Sequence, residues 1–406
     1  MKRMSLAIEA IRILAIVLLA ANMASAGGTE RVTHNFVPTN SGASPESTLV
    51  FDRAGNLYGT ASSGGSYSCD IGCGVVFQLT PNPGGGWSYH AIHAFRGGTD
   101  GAYPSFSSGL VIDPSGNVYG TTFQGGTYGD GCVFEVSPTS DGGWHETVIQ
   151  SFNSPNGPSG PSGLAMDASG NLYGTTPGGG TNGLGTVYEL SPGKEGGWTE
   201  TVLLSFDGEN GSSPLSPVTM DSAGNLYGTA LGGPSGSGLV FELSPGSGDS
   251  WAENILYTFP GGKKGGDPET SLLIDATGNL YGTTAGTYGS VFKLALNPDG
   301  TWTENTLHIF SHSGDGEFPR SGLTQDSAGN LYGTTYFGGS DGGGIVYKFT
   351  PNAGGGWTER IVYNFTGGAD GSGPLGGVIL DPAGHLFGTA SNGGSAGYGV
   401  VFQIQQ

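Results

Sequence analysis

Three observations predict an all-β fold, a seven-bladed β-propeller with four-stranded blades. The motif DxxGNLYGT occurs seven times with small variations, beginning at Asp52, Asp113, Asp167, Asp221, Asp275, Asp326 and Asp381. Around every copy the same short segments recur, rich in β-branched and aromatic residues and bounded by Gly, Pro, Asp or Ser. Glycine fills 81 of 406 positions, which disfavours helices, while 19 Phe, 17 Tyr and 6 Trp without a three-residue glycine period exclude collagen-like or disordered chains.

The N-terminal 26 residues read as an export signal. Lys2, Arg3 and Arg12 lead, Ile13 to Ala21 form an apolar run too short to span a bilayer, and Ala24-Ser25-Ala26 is an AxA cleavage site. Residues 27–406 then form one domain. No later apolar run is long enough for a membrane, so the expected product is secreted, extracellular or periplasmic, and monomeric.

Within a unit, read from Asp167, an apolar run (Gly163 to Asp167) leads into Asn171–Thr176. A glycine-rich loop follows, then Gly185–Leu190, a turn at Ser191-Pro192-Gly193, and a last strand from Trp198 to Phe206. Four antiparallel strands per repeat of this length are a propeller blade. The seventh copy stops after its third strand, Val400–Ile404. The segment Thr29–Phe36 matches the outer strand Thr358–Phe365, so the N-terminal strand is expected to complete the last blade and close the ring without a free sheet edge. Asp and Gly of DxxGN suit a tight turn, and Leu and Tyr fill the two faces that neighbouring blades cover.

The repeats, seen as Asn117–Thr122 with Gly131–Phe134 and again over 171–190 and 330–347, resemble the Gloeo-Verruco ("GloVer") tandem repeat of secreted bacterial proteins. DxxGNLY is more distantly similar to NHL-type propeller repeats. The resemblance implies a secreted bacterial propeller and supplies no catalytic residues. Members often carry a C-terminal sorting anchor, and with the sequence reading to Gln406 none is expected here.

Net charge is −20, with 33 acidic against 13 basic residues, which argues against nucleic acid as a partner. Cys69 and Cys73 flank one loop and could pair after export, whereas Cys132 replaces a strand valine. No histidine joins the cysteines at a zinc-site spacing, and no metal-ligating residues are assigned. The acidic loops Asp100-Gly101, Asp207-Gly208-Glu209, Asp315-Gly316-Glu317 and Asp370-Gly371 suit Ca²⁺, and equally suit ordinary turns. No cofactor is expected otherwise.

Where the repeats differ is where function is sought. The residues after the proline entering each blade are Glu46, Ser105, Ser162, Leu215, Glu269, Arg320 and Leu375, expected to ring the channel mouth. Glu46, Glu269 and Arg320 are the candidate catalytic residues, suited to acid/base work or a polar ligand. Beyond GT(T/A) stand Phe123, Tyr336 and Phe337, candidate ligand-binding aromatics able to stack on sugars or to fold back over glycine loops. His34, His93 and His308, on outer strands far from the axis, read as packing or surface residues. The sequences GGSDG at 338–342 and GGSAG at 393–397 lack the strand-to-helix elbow of a hydrolase nucleophile. The expected function is a binding or interaction module contacting extracellular polysaccharide or a partner protein. Alternatives are a polysaccharide-active hydrolase or lyase with its site at the channel mouth, and a structural envelope protein without a small ligand.

Overall fold

A computed structural model describes residues 28–406 apart from 40, 66–67, 106–108, 154–159, 195, 249, 263–264 and 312–313. The expected export signal lies outside the described residues. Seven antiparallel blades form a ring, with one short 3-10 turn at Gly98–Asp100 among the described residues. Blade three shows the pattern, with strands Ser162–Met166, Leu172–Thr176, Thr186–Pro192 and Trp198–Ser205 in that spatial order. In blades one and two the innermost strand is broken into two pieces, Ala43–Pro45 with Val50–Phe51 and Ala102–Pro104 with Val111–Ile112. The third strand runs through Ser191 and Pro192, which the sequence reading placed in a turn. Pro192 pairs opposite Trp198 at the strand's last position, where a missing N–H is tolerated.

The motif's residues act locally. Asp167 Oδ1 accepts from the amides of Ser169 (2.8 Å) and Asn171 (2.9 Å), and its Oδ2 accepts from Asn171 Nδ2 (2.8 Å) and the Tyr173 hydroxyl (3.4 Å). In the seventh copy, His385 Nδ1 takes the asparagine's place against Asp381 Oδ2 at 2.8 Å.

The hydrophobic core lies between blades, one cluster per boundary. Tyr119, Val133 and Phe152 of blade two, for example, pack on Leu164, Leu172, Tyr188 and Leu190 of blade three. Because the middle of a blade is covered on both faces, the second strand of blade three is buried throughout and the first three residues of its third strand are buried without alternation. Three further contacts lock neighbours. The tyrosine of one blade meets the tryptophan that opens the next outer strand, as in Tyr119–Trp198 and Tyr227–Trp302. At five boundaries among the described residues the threonine after YG or FG donates to the next blade's backbone, as Thr175 Oγ1 does to the Ser216 carbonyl at 2.8 Å. The glycine before each third strand lies against the proline that enters the next blade. At Gly344, where φ is +91°, an added Cβ would sit 2.8 Å from Pro374 Cδ.

The N-terminal strand Thr29–Asn35 pairs with Val400–Gln405, from Thr29 opposite Gln405 to Asn35 opposite Val400. Blade seven meets blade one through the same contacts: Phe387 with Trp87, Thr389 Oγ1 with the Ser47 carbonyl at 3.0 Å, and Gly399 with Pro45. Blade seven's outer strand has no tryptophan, and the Tyr332 hydroxyl there bonds Gln406 Oε1 at 3.2 Å. Cys69 and Cys73 form a disulfide, and Cys132 is free and buried beside Thr122.

Candidate functional site at the channel mouth

Every blade enters the ring through an X-Pro step whose X residue has positive φ: Ser44, Tyr103, Gly160, Ser213, Asp267, Phe318 and Gly373. Five of these are not glycine, a conformation that costs about 1–3 kcal/mol each and persists only where surroundings hold it. Here each X amide donates to the loop before the preceding blade's third strand, as Tyr103 does to the Cys73 carbonyl (2.8 Å) and Phe318 to that of Tyr288 (2.9 Å). The next residue but one is therefore set in a fixed place.

Those places carry different chemistry. Ser105 and Ser162 are buried and donate to the carbonyls of Pro161 (2.8 Å) and Pro214 (3.3 Å), so both hydroxyls tie neighbouring blades together. Glu269 of blade five and Arg320 of blade six come together, with Arg320 Nε 3.7 Å from Glu269 Oε2. Burial raises the Glu269 pKa, Arg320 opposes that rise, and Asp267 adds to it. Glu46, on blade one, is raised by burial, with the Ser62 hydroxyl opposing. Blade seven lies between Glu46 and Arg320.

The aromatics divide likewise. Phe337 is 49% exposed, its ring 4.4 Å from that of Tyr336 and 6.4 Å from that of Phe318. Tyr336 is half-buried against Gly373, and its amide donates to the Phe318 carbonyl at 3.1 Å. Phe123, on blade two, lies over Gly160 of blade three and stays 40% exposed. Blade six thus joins an exposed aromatic group to the Glu269–Arg320 pair through the segment Phe318–Arg320, while Glu46 and Phe123 stand elsewhere on the ring. Phe318 and Asp267 were missed in the sequence, although their place before the entry proline was a usable signal. A cleft of about 790 Å³ lies away from the mouth, between the outer edges of blades two and three, lined by Tyr128, Gln150, Glu200 and Val202 among others.

Among the described residues no helix is long and apolar enough to cross a membrane. The extracellular domain of BT4673 from B. thetaiotaomicron, a candidate one component system, is similar in fold, with a TM-score of 0.54 and 12% identity over 91% of this chain. This chain spans 40% of that structure's length. A Dyadobacter fermentans protein of unknown function (TM-score 0.44, 12% identity) is covered over 97% of its length and 81% of this chain. A Xanthomonas campestris gluconolactonase (0.42, 15%) is covered over 95% and 76% respectively. No curated protein matches the chain. The Gloeobacter/Verrucomicrobia repeat matches over residues 21–140, 67–287 and 232–406, and with seven blades built on that repeat the chain belongs to this family.

Proposed function

We propose that this chain is an exported propeller that binds extracellular polysaccharide at the blade-five and blade-six sector of its channel mouth. The observation that carries this reading is the placing of the exposed Phe337, beside the half-buried Tyr336, on the same blade as Arg320, which reaches Glu269 of the adjoining blade. Aromatic faces suit the C–H faces of sugars, and a charged pair beside them suits hydroxyls or uronate groups. The AxA segment and the Cys69–Cys73 disulfide support export to an oxidising compartment. The strained X-Pro entries support a mouth whose side chains are held in place before a ligand arrives.

A hydrolase or lyase is the second reading, favoured by burial that holds Glu46 and Glu269 toward the protonated form a general acid needs. One experiment separates the two. Residues 27–406 are run through gels containing a panel of plant and microbial polysaccharides, and the same mixtures are assayed for new chain ends. Retardation that Phe337→Ala abolishes, without new ends, supports binding. New ends that disappear in Glu46→Gln or Glu269→Gln establish an enzyme, and neither result leaves a structural role or a protein partner.

A further inference from the structure

At each boundary the outer strand of one blade, the loop that leaves it and the outer strand of the next blade meet in a groove away from the channel. Between blades one and two the groove holds His93, Asp100 and Glu146. Between blades five and six it holds His308, Asp315 and Glu359. In both triplets one ligand atom from each residue lies within 4.8 Å of the others. His308 Nε2 is 3.1 Å from Asp315 Oδ2 and 3.5 Å from Glu359 Oε2, and His93 Nε2 is 3.3 Å from Asp100 Oδ1.

These separations match the edge of a tetrahedron, about 3.3 Å for ligands roughly 2.0–2.1 Å from a zinc ion. Polar atoms are left over in both grooves, as they are at Glu30 Oε1, His34 Nε2 and Glu253 Oε1 of other boundaries, so it is the imidazole with two carboxylates that sets these two apart. Glu146 Oε1 and Glu359 Oε1 are buried without a hydrogen-bond partner, and so is His93 Nε2, whose approach to Asp100 lacks hydrogen-bond geometry. Burying such atoms without a partner is costly, and a cation would remove the cost. The other boundaries supply a comparison within the same chain. Between blades seven and one the corresponding residues are His34, Ser41 and Tyr89: both carboxylates are gone, and His34 stacks on Tyr89 at 4.0 Å. Between blades six and seven they are Tyr363, Asp370 and Glu30: the carboxylates remain, and the Tyr363 hydroxyl donates to Asp370 at 3.0 Å. Between blades two and three Gln150 replaces the imidazole and bonds Glu200. Among the described residues, an imidazole and two carboxylates converge only in the two triplets.

We propose that His93–Asp100–Glu146 and His308–Asp315–Glu359 are two equivalent sites for a first-row divalent metal, zinc by their ligands, each joining two neighbouring blades. The imidazole separates them from calcium sites, which are built from oxygen. Two carboxylates and a neutral imidazole balance the charge of a divalent ion, and three protein ligands leave a fourth tetrahedral position to water.

The test titrates Zn²⁺ into chelator-treated residues 27–406, which retain every described strand, by calorimetry. Two equivalents are expected, one in His308→Gln, one in His93→Gln, and none in the double variant. Zn²⁺ raises the melting temperature of the unsubstituted chain and leaves that of the double variant unmoved. If the histidine variants do not fold, Glu146→Gln/Glu359→Gln carries the same expectation, and Co²⁺ added to the unsubstituted chain gives the intense visible bands of a tetrahedral site. Two equivalents persisting in a folded double variant, Co²⁺ bands of octahedral weakness, or no binding by the unsubstituted chain would overturn the proposal.

Discussion

The boundaries between blades and the mouth of the channel are built from the same repeat, yet they treat it in opposite ways. At the boundaries the contacts recur among the described residues: glycine against proline at all seven, tyrosine or phenylalanine against tryptophan at six, and threonine to backbone at five. At the mouth the residue after the entry proline is glutamate, serine, leucine or arginine according to the blade. The repeated positions therefore hold the ring, and the varied positions carry whatever distinguishes this chain from a bare scaffold.

The comparison breaks most sharply at the glycine before a third strand. In Gly344→Ala the new methyl group would meet the Thr335 carbonyl and Pro374 while φ stays at +91°. Neither neighbour is the end of a flexible side chain, so the loss should be about 3 kcal/mol or more. Denaturant unfolding of the variant measures it, and a loss under about 1 kcal/mol would show that the glycine–proline contact does not hold the ring.

The second prediction concerns a boundary carboxyl. Burial, with the charge of Asp370 adding to it, raises Glu30 to about 7. A carboxyl whose folded pKa exceeds its unfolded value binds a proton more tightly in the folded chain. Its full favourable contribution is present below the unfolded pKa, near 4.5, and is lost as pH rises through 7. Glu30 is only half-buried, so the loss is discounted for screening to about 1.5 kcal/mol. In metal-free buffer the melting temperature of the unsubstituted chain, measured relative to Glu30→Gln, should fall between pH 5 and pH 8, a comparison in which the opposite contributions of the lowered His34, His93 and His308 cancel. Glu146 and Glu359, raised by burial and by the charges of Asp100 and Asp315, act in the same direction.

A smaller effect, of opposite sign, comes from the third strand. Five blades place phenylalanine over the glycine of YGT, and blades three and six place Tyr188 and Tyr347 there. Both rings are fully buried and neither hydroxyl has a partner. Tyr347→Phe should therefore stabilise the chain by about 1 kcal/mol, as should Tyr188→Phe. A loss of stability in either variant would mean that the hydroxyl is satisfied in solution.

Much of this was legible in the sequence because DxxGNLYGT does its work within a few residues. Asp, Gly and Asn make one turn, and turn chemistry can be read locally. The locks between blades were not legible. Gly344 and Pro374 lie thirty residues apart in a chain where one residue in five is glycine, so spacing alone does not single out their contact. The triplets around His93 and His308 were not legible for a related reason: each histidine was weighed on its own outer strand, by distance from the axis. The shared offset from His93 to Asp100 and from His308 to Asp315 was visible, but the glutamate that completes each triplet belongs to the next repeat. At the mouth, the positions of Glu269 and Arg320 were readable, and their pairing required knowing that their blades are neighbours.

The smallest expected effect on stability is at that mouth, and it sharpens the comparison most. Arg320 is 46% exposed and makes a 3.7 Å contact with a partly exposed glutamate. Such a pair contributes little, so Arg320→Ala should change unfolding free energy by less than about 0.5 kcal/mol. If the mouth is a place for recognition, the same substitution should abolish retardation in a polysaccharide gel that retards the unsubstituted chain. A variant that loses stability and keeps retardation would assign Arg320 to the ring; one that keeps stability and loses retardation assigns it to the ligand.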